Sequence, residues 1–334
     1  MTKRTIQEIE ADARSKGLAA MWRRPGMRAH PASKCPPQHW SYADVKSFLL
    51  EAAPEISPED CERRVLILES KGMPDSWYMS PTLFAGVQML LPGETAAAHR
   101  HTQAAMRFAF EGAGVYAAVD GERLPVEPGD LLLTPRWAWH DHGHEGVEPA
   151  LWLDVLDVPL VAHLEAEFRE WSNSKTQTVA TPSGSSEAMF GHGLRPVDAA
   201  GGYLKRYPYK RAREAIAHLL RTGQVDPRWG AKLEYTDPGS GNSILPAISA
   251  FLQGLPKGFK TQRRRTTETT LLVLVEGAAT VTAGETTYTL QPKDMVLIPS
   301  WTALNIESSS ETILFSVSNK PLLQKLDLWR ELMG

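Results

Sequence analysis

Between His99-Arg100-His101 and Pro135-Arg136-Trp137-Ala138-Trp139-His140 the chain passes three turn signals: Glu111-Gly112, Asp120-Gly121-Glu122 and Pro128-Gly129-Asp130. The second half repeats the pattern in the same order, as Glu276-Gly277, Ala283-Gly284-Glu285, Pro292-Lys293-Asp294 and Pro299-Ser300-Trp301. Four ordered matches at similar spacing identify an internal duplication. Short apolar runs lie around these signals, at 65–68, 86–91, 106–110, 114–119, 131–134 and 150–155, and again at 271–275, 278–282, 286–290, 295–298 and 313–317. Such runs, each closed by turn residues, predict a β-barrel or sandwich, here built twice.

Working outward, residues 1–60 read as an N-terminal helical arm, with helices at 6–16 and 42–52, the second capped by Ser41, and an irregular Pro-rich stretch at 25–37. The first barrel is expected over 61–160 and the second over 227–320. A helical and loop connection fills 161–226, with helices at 161–171 and 209–222 and a Ser/Thr-rich loop at 172–187, and 321–334 reads as a C-terminal helix. At 334 residues and net charge -3 the chain offers no electrostatic case for nucleic acid or a membrane surface. No apolar run approaches the roughly 18 to 20 residues of a membrane span, and the N-terminus lacks a signal-peptide core. A soluble, cytoplasmic protein is expected, with Cys35 and Cys61 as reduced thiols.

Alternation along a strand points His99 and His101 to one side and Arg100 to the other. His140 brings a third imidazole at the end of a later strand, so three neutral nitrogen donors suit a divalent transition metal with open positions. The duplication supplies an internal control. Counted from the shared signals, His99, His101 and His140 fall opposite Arg264, Thr266 and Leu304, so the second barrel is expected to be metal-free.

The first copy resembles the cupin superfamily, with Trp137 in the usual Gly position and Ala105 and Met106 where most cupins carry a Glu. Its ordered set of motifs is similar to the gentisate and salicylate 1,2-dioxygenases: Tyr78-Met79-Ser80-Pro81-Thr82, Gln88, His99-Arg100-His101-Thr102-Gln103, Arg107-Phe108, His140-Asp141-His142 and Trp152-Leu153-Asp154, with Tyr235-Thr236-Asp237-Pro238 in the second half. The resemblance implies an all-β protein with peripheral helices, a bicupin of two double-stranded β-helix (jelly-roll) barrels. It implies Fe(II) on His99, His101 and His140, and both atoms of O2 inserted between the carboxyl-bearing and the adjacent hydroxyl-bearing ring carbons. The partner would be a small aromatic ortho-hydroxycarboxylate, and relatives are commonly homotetramers.

By the same resemblance Arg107 contacts the substrate carboxylate, with Arg63 or its neighbour Arg64 as a second arginine. His142 serves the substrate hydroxyl or dioxygen, and Gln88, Asp154 and Trp152 line the pocket. Phe84 and Gly86 stand where relatives carry larger residues, which implies a roomier pocket that admits salicylate or a 5-substituted salicylate. His144 continues the alternation but sits in a Gly/Glu turn, where solvent exposure is expected. Two other readings stay open on the residues alone: a different metal-dependent cupin enzyme, such as an isomerase, and a non-enzymatic cupin that binds small acids.

Overall fold

Turn chemistry and strand alternation set the architecture of this computed structural model, which describes residues 3–56, 63–192, 197 and 203–334 and divides into two units, Met1–Ala32 and Ser33–Gly334. Cys61 lies outside the described residues, and Cys35 is a buried thiol. In the first unit, helix α1 (Ile6–Ser15) starts at a capping box: the Thr5 hydroxyl accepts from the Glu8 N–H while the Glu8 carboxylate accepts from the Thr5 N–H. Trp22 and Arg23 then donate back to Glu10.

The second unit opens with strand β1 (Gln38–Trp40) and helix α2 (Tyr42–Ala52), so the segment read as a helical arm also contains a strand. The first barrel comprises β2 (Arg64–Ile67), β3 (Phe84–Leu90), β4 (Thr95–His101), β5 (Ala105–Glu111), β6 (Val115–Val119), β7 (Glu122–Val126), β8 (Leu131–Thr134), β9 (His140–His144) and β10 (Ala150–Leu156). The connection holds α3 (Val158–His163), β11 (Arg169–Trp171), α4 (Ser185–Phe190), β12 (Arg206–Tyr207) and α5 (Tyr209–Arg221). The second barrel repeats the first with β13 (Ala231–Tyr235), β14 (Ser249–Leu255), β15 (Arg264–Thr266), β16 (Thr270–Glu276), β17 (Ala279–Ala283), β18 (Thr286–Leu290), β19 (Met295–Ile298), β20 (Leu304–Ser308) and β21 (Thr312–Ser318). Helix α6 (Lys320–Lys325) and strand β22 (Glu331–Met333) end the chain.

Each barrel is two facing sheets. Strand order is β12-β8-β5-β10-β3-β2 over β11-β4-β9-β6-β7 in the first, and β1-β19-β16-β21-β14-β13 over β18-β17-β20-β15-β22 in the second. On β5, Met106, Phe108 and Phe110 face outward into the largest apolar cluster, which joins Val87, Leu153 and Val155 to Leu271, Val273, Phe315 and Val317 of the second barrel. The Phe108 and Phe315 rings stack there with centroids 4.0 Å apart. The alternate residues Arg107 and Ala109 therefore point inside. The second barrel lines much of the corresponding interior with the aliphatic residues Leu272, Leu274, Val296, Ile298 and Leu314.

The arms are exchanged symmetrically. β1 extends the second barrel by pairing with β19, and β12 extends the first by pairing with β8. The Asp of each Pro-x-Asp turn fixes the exchange: Asp130 accepts from the Tyr209 N–H and Arg206, and Asp294 from the Tyr42 N–H and His39. These carboxylates sit at the starts of α5 and α2, where the first N–H groups need acceptors.

Two expected helices are cut short for one reason. The reading of 161–171 as helix fails because α3 stops at His163, Glu165 turns left-handed (φ 54°), and Arg169–Trp171 becomes a strand on the open edge of β4. The C-terminal helix over 321–334 fails likewise: α6 stops at Lys325, Asp327 turns (φ 54°), and Glu331–Met333 pairs with β15. An open strand edge has unpaired N–H and C=O groups, and in each barrel a short returning strand satisfies them.

Candidate metal centre

β4 and β9 lie side by side with His99 opposite His140, and the β4 register shifts between Ala96 and His99, a bulge beside the histidines. His99, His101 and His140 each offer a ring nitrogen, all within 4.8 Å of one another, and all three residues are buried. Each Nδ1 faces a backbone carbonyl: Ala97 at 2.7 Å, Gln103 at 2.9 Å and Ala138 at 3.0 Å. A carbonyl only accepts, so Nδ1 carries the proton and the Nε2 lone pair is turned to the shared centre. The Nε2 atoms of His101 and His140 are buried with no hydrogen-bond partner. Buried, oriented, uncompensated lone pairs are what a divalent metal requires, and the site fits one.

His140 is held by an unusual turn. Trp137 has φ 64°, in the left-handed region usually left to glycine, and its counterpart Trp301 has φ 62°. At Trp137 the N–H donates to the His101 carbonyl at 2.9 Å, and the indole packs on Phe168 and beneath the Arg100 guanidinium. A non-glycine residue there costs about 1–2 kcal/mol, offset by this packing.

Burial lowers the histidine pKa values: to about 2 for His99, with Arg63 as a further cause, to about 4 for His101, and well below the ordinary value for His140. Above about pH 6.5 these rings are neutral in folded and unfolded chains alike and add no pH dependence. Below it the unfolded chain takes up protons that the folded one refuses, until about pH 4 at His101 and about 2 at His99. The metal-free protein is therefore expected to lose stability as the pH falls from about 6.5 toward 4, by up to about 1.4 kcal/mol per pH unit for each histidine. Urea titrations at pH 7.5, 6.0 and 5.0 check this; a constant unfolding free energy would contradict neutral buried rings.

Arg63 brings its guanidinium against His99 Nε2. Its neighbour Arg64 is turned away, paired with both oxygens of Glu94 at 2.9 Å and with the Ile56 carbonyl. One lone pair serves one partner, so Arg63 must give up His99 Nε2 when that nitrogen binds a metal.

Arg107 points into the barrel from β5, opposite Asp154 of β10. Its Nη1–H donates to the Thr134 hydroxyl at 2.6 Å. Its Nε lies 3.0 Å from Asp154 Oδ1 but off the N–H axis, so the contact is electrostatic, and Nε–H and Nη2 have no hydrogen-bond acceptor. Burial lowers the Arg107 pKa to about 10 against the pull of Asp154, and burial likewise raises Asp154. Asp154 thus stands beside the arginine as its counter-charge.

His142 is next but one to His140, with ring centroids 6.0 Å apart, and its Nε2 is buried without a partner; burial holds its pKa well below the ordinary value. Trp152 lies 5.7 Å from the His142 ring, and Gln88 sits opposite Trp152 in the β3–β10 register. Both polar atoms of the Gln88 amide are buried and, among the described residues, unpartnered. A wall of unpaired buried polar groups is costly unless a ligand completes it.

Phe84 and Gly86 share the Gln88 face of β3, but the expected extra room is absent beside Gly86. A Cβ there would meet Val65 Cγ1 at 2.7 Å and the Leu66 carbonyl at 3.1 Å, so Val65 already fills the volume. The expectation of an exposed His144 also fails. It is buried, its Nε2–H donating to the Glu148 carbonyl at 2.5 Å and its Nδ1 accepting from the Gly146 N–H, which makes it a turn clamp.

Sequence reasoning missed two residues here. Thr134 anchors Arg107, and Trp171, carried by β11, lays its indole 5.0 Å from the His99 ring. Neither β11 nor its counterpart β22 carries an apolar period that marks it as a strand.

The family model described as a cupin domain matches residues 86–156. The chain is 38% identical to gentisate 1,2 dioxygenase 1 of Aquipseudomonas alcaligenes over 97% of this chain and 95% of the relative. It is 32% identical to the gentisate 1,2-dioxygenase of a Streptomyces species over 99% and 96%. The crystal structure of salicylate 1,2-dioxygenase from Pseudoaminobacter salicylatoxidans, in adducts with gentisate, superposes with a TM-score of 0.93 at 29% identity, covering 100% of this chain and 96% of that one. Full-length similarity of this order, over two barrels of which the first converges three buried imidazoles, has one reading: the chain belongs to the gentisate and salicylate 1,2-dioxygenase family of bicupin enzymes.

Proposed function

We propose that this enzyme opens the aromatic ring of gentisate or a salicylate between the carboxyl-bearing carbon and its hydroxyl-bearing neighbour, with ferrous iron on His99, His101 and His140. The observation that carries the reading is a cluster of three neutral histidines, with no carboxylate beside them among the described residues, facing the two arginines Arg63 and Arg107. When bound, ferrous iron supplies a Lewis-acidic, redox-active centre with positions for a chelating carboxylate and hydroxyl and for dioxygen.

The chain's own groups do the rest. Arg107, fixed by Thr134 and Asp154, presents its unpaired Nη2 group to a carboxylate, and Arg63 adds a second positive charge. Together they lower the cost of taking an anion into a buried site. His142, neutral at pH 7 through burial, takes or shares the proton of the ring hydroxyl at Nε2. The Gln88 amide and the Trp152 indole N–H fix the ring's orientation, and the Trp171 indole covers the outer side of His99. In keeping with the family resemblance, the working form is a cytoplasmic homotetramer.

Oxygen uptake by the iron-loaded protein tests the reading, with a panel of gentisate, salicylate, 5-substituted salicylates and 1-hydroxy-2-naphthoate. One O2 is expected per ring opened, and none with a phenol that lacks the carboxylate. No uptake with any ortho-hydroxybenzoate would move the function to another cupin chemistry or to binding alone.

A further inference from the structure

The second barrel has exchanged its metal set for a different polar set. His99 opposite His140 becomes Arg264 opposite Leu304, and Arg107 opposite Asp154 becomes Leu272 opposite Ser316. Gln253 keeps the place of Gln88, while its cross-strand partner changes from Val65 to Lys232. At this mouth lies a cavity of about 290 Å³ whose wall includes Lys232, Lys320, Arg264, Phe251, Trp229 and Trp329.

Two ammonium groups lie near one aromatic ring: Lys232 Nζ is 4.4 Å and Lys320 Nζ 5.7 Å from the Phe251 centroid, and Lys320 is also 5.1 Å from the Trp329 ring. Among the described residues neither ammonium has a carboxylate within ion-pair distance. The nearby acids are engaged elsewhere. Glu331 is with Arg264 at 3.3 Å and Arg228 at 3.8 Å, Glu268 accepts from the Ser318 hydroxyl at 2.9 Å, and Glu234 accepts from the Ser243 hydroxyl at 2.6 Å. Burial, with Arg264 second, lowers Lys232 to about 8 against the pull of Glu268 and Glu234. The Trp329 Nε1–H and, deeper in the barrel, the Ser316 hydroxyl are buried without partners.

We propose that this mouth is a second ligand site, which binds a small aromatic monocarboxylate with its carboxylate between Lys232 and Lys320 and its ring against Trp229 and Trp329. The cavity is at the lower end of the roughly 300–1,000 Å³ of small-molecule pockets, room for one ring and its acid group. Three aromatic walls favour a planar ring over an aliphatic chain. The site does not depend on which reaction the first barrel performs.

The test uses full-length protein labelled with 5-fluorotryptophan, with the Trp229 and Trp329 fluorine resonances assigned by Trp229→Phe and Trp329→Phe. Benzoate is the probe. Both resonances are expected to shift saturably, with Kd at least tenfold higher in Lys232→Gln and in Lys320→Gln, and at least fivefold higher for cyclohexanecarboxylate in the unchanged protein. Oxygen uptake in the first barrel is expected to persist in both lysine variants, which shows that they are folded. Resonances that do not move, that move equally in the lysine variants, or that respond equally to the non-aromatic acid would each overturn the proposal.

Discussion

Replacing His99 by alanine is expected to strip the protein of its metal and abolish turnover. His99 is one of three nitrogen donors around one centre, and no carboxylate stands by to replace it among the described residues. Losing even a group that only orients a ligand histidine costs about 10–100-fold in metal affinity, so losing the ligand itself should exceed about 100-fold. The Ala97 carbonyl also loses the Nδ1–H that it accepts. Metal content after gel filtration and oxygen uptake read the result together, and circular dichroism checks that the variant is folded. A His99→Ala protein that keeps one metal per chain and full activity would remove His99 from the centre. The barrel that already lacks the set, with Arg264 at the matching position, is the natural control in the same molecule.

The duplication was legible because its markers are physically forced. Gly112 (φ 103°) and Gly277 (φ 86°) take a conformation that disfavours side chains, and a Cβ would meet Ala150 Cβ at 2.5 Å in one copy and the Glu311 carbonyl at 2.2 Å in the other. Asp130 and Asp294 recur because each anchors an exchanged arm. The histidine pair was legible through alternation, and the β4–β9 register puts His99 opposite His140 as Arg264 stands opposite Leu304.

What escaped was short or decided by distant contacts. Arg169-Glu170-Trp171 and Glu331-Leu332-Met333 are three-residue strands without an apolar period, made by the edge they cover. Alternation places Arg63 and Arg64 on opposite sides but does not say which side holds the site; the Glu94 carboxylate, thirty residues on, claims Arg64. The burial of His144 follows from the main chain of Gly93 and Glu94 folding over it, with N–H to O distances of 2.8 and 3.1 Å.

Arg107→Leu is expected to keep the metal, raise KM for an ortho-hydroxybenzoate and destabilise the fold. Charged hydrogen bonds are worth about 1.5–3 kcal/mol, so loss of the contact to a substrate carboxylate predicts a KM rise of roughly 10- to 100-fold. Stability suffers for a separate reason. Asp154 is buried, its pKa already raised by burial, and Arg107 is its counter-charge, so removing one partner costs about 3–5 kcal/mol. The two effects must be separated before a poor KM is read as lost recognition, and the molecule supplies the means. At the same register the second barrel carries Leu272 opposite Ser316, a pair that packs without charge. Arg107→Leu/Asp154→Ser transplants that pair and leaves no buried ion behind. Its unfolding free energy is expected to return to within about 1 kcal/mol of the parent, since replacing both members of a buried ion pair is often neutral. Its KM is expected to stay high, because the carboxylate still lacks its donors. If KM recovers together with stability, Arg107 serves the fold and the acid group is held elsewhere; if stability recovers alone, the arginine is there for the substrate.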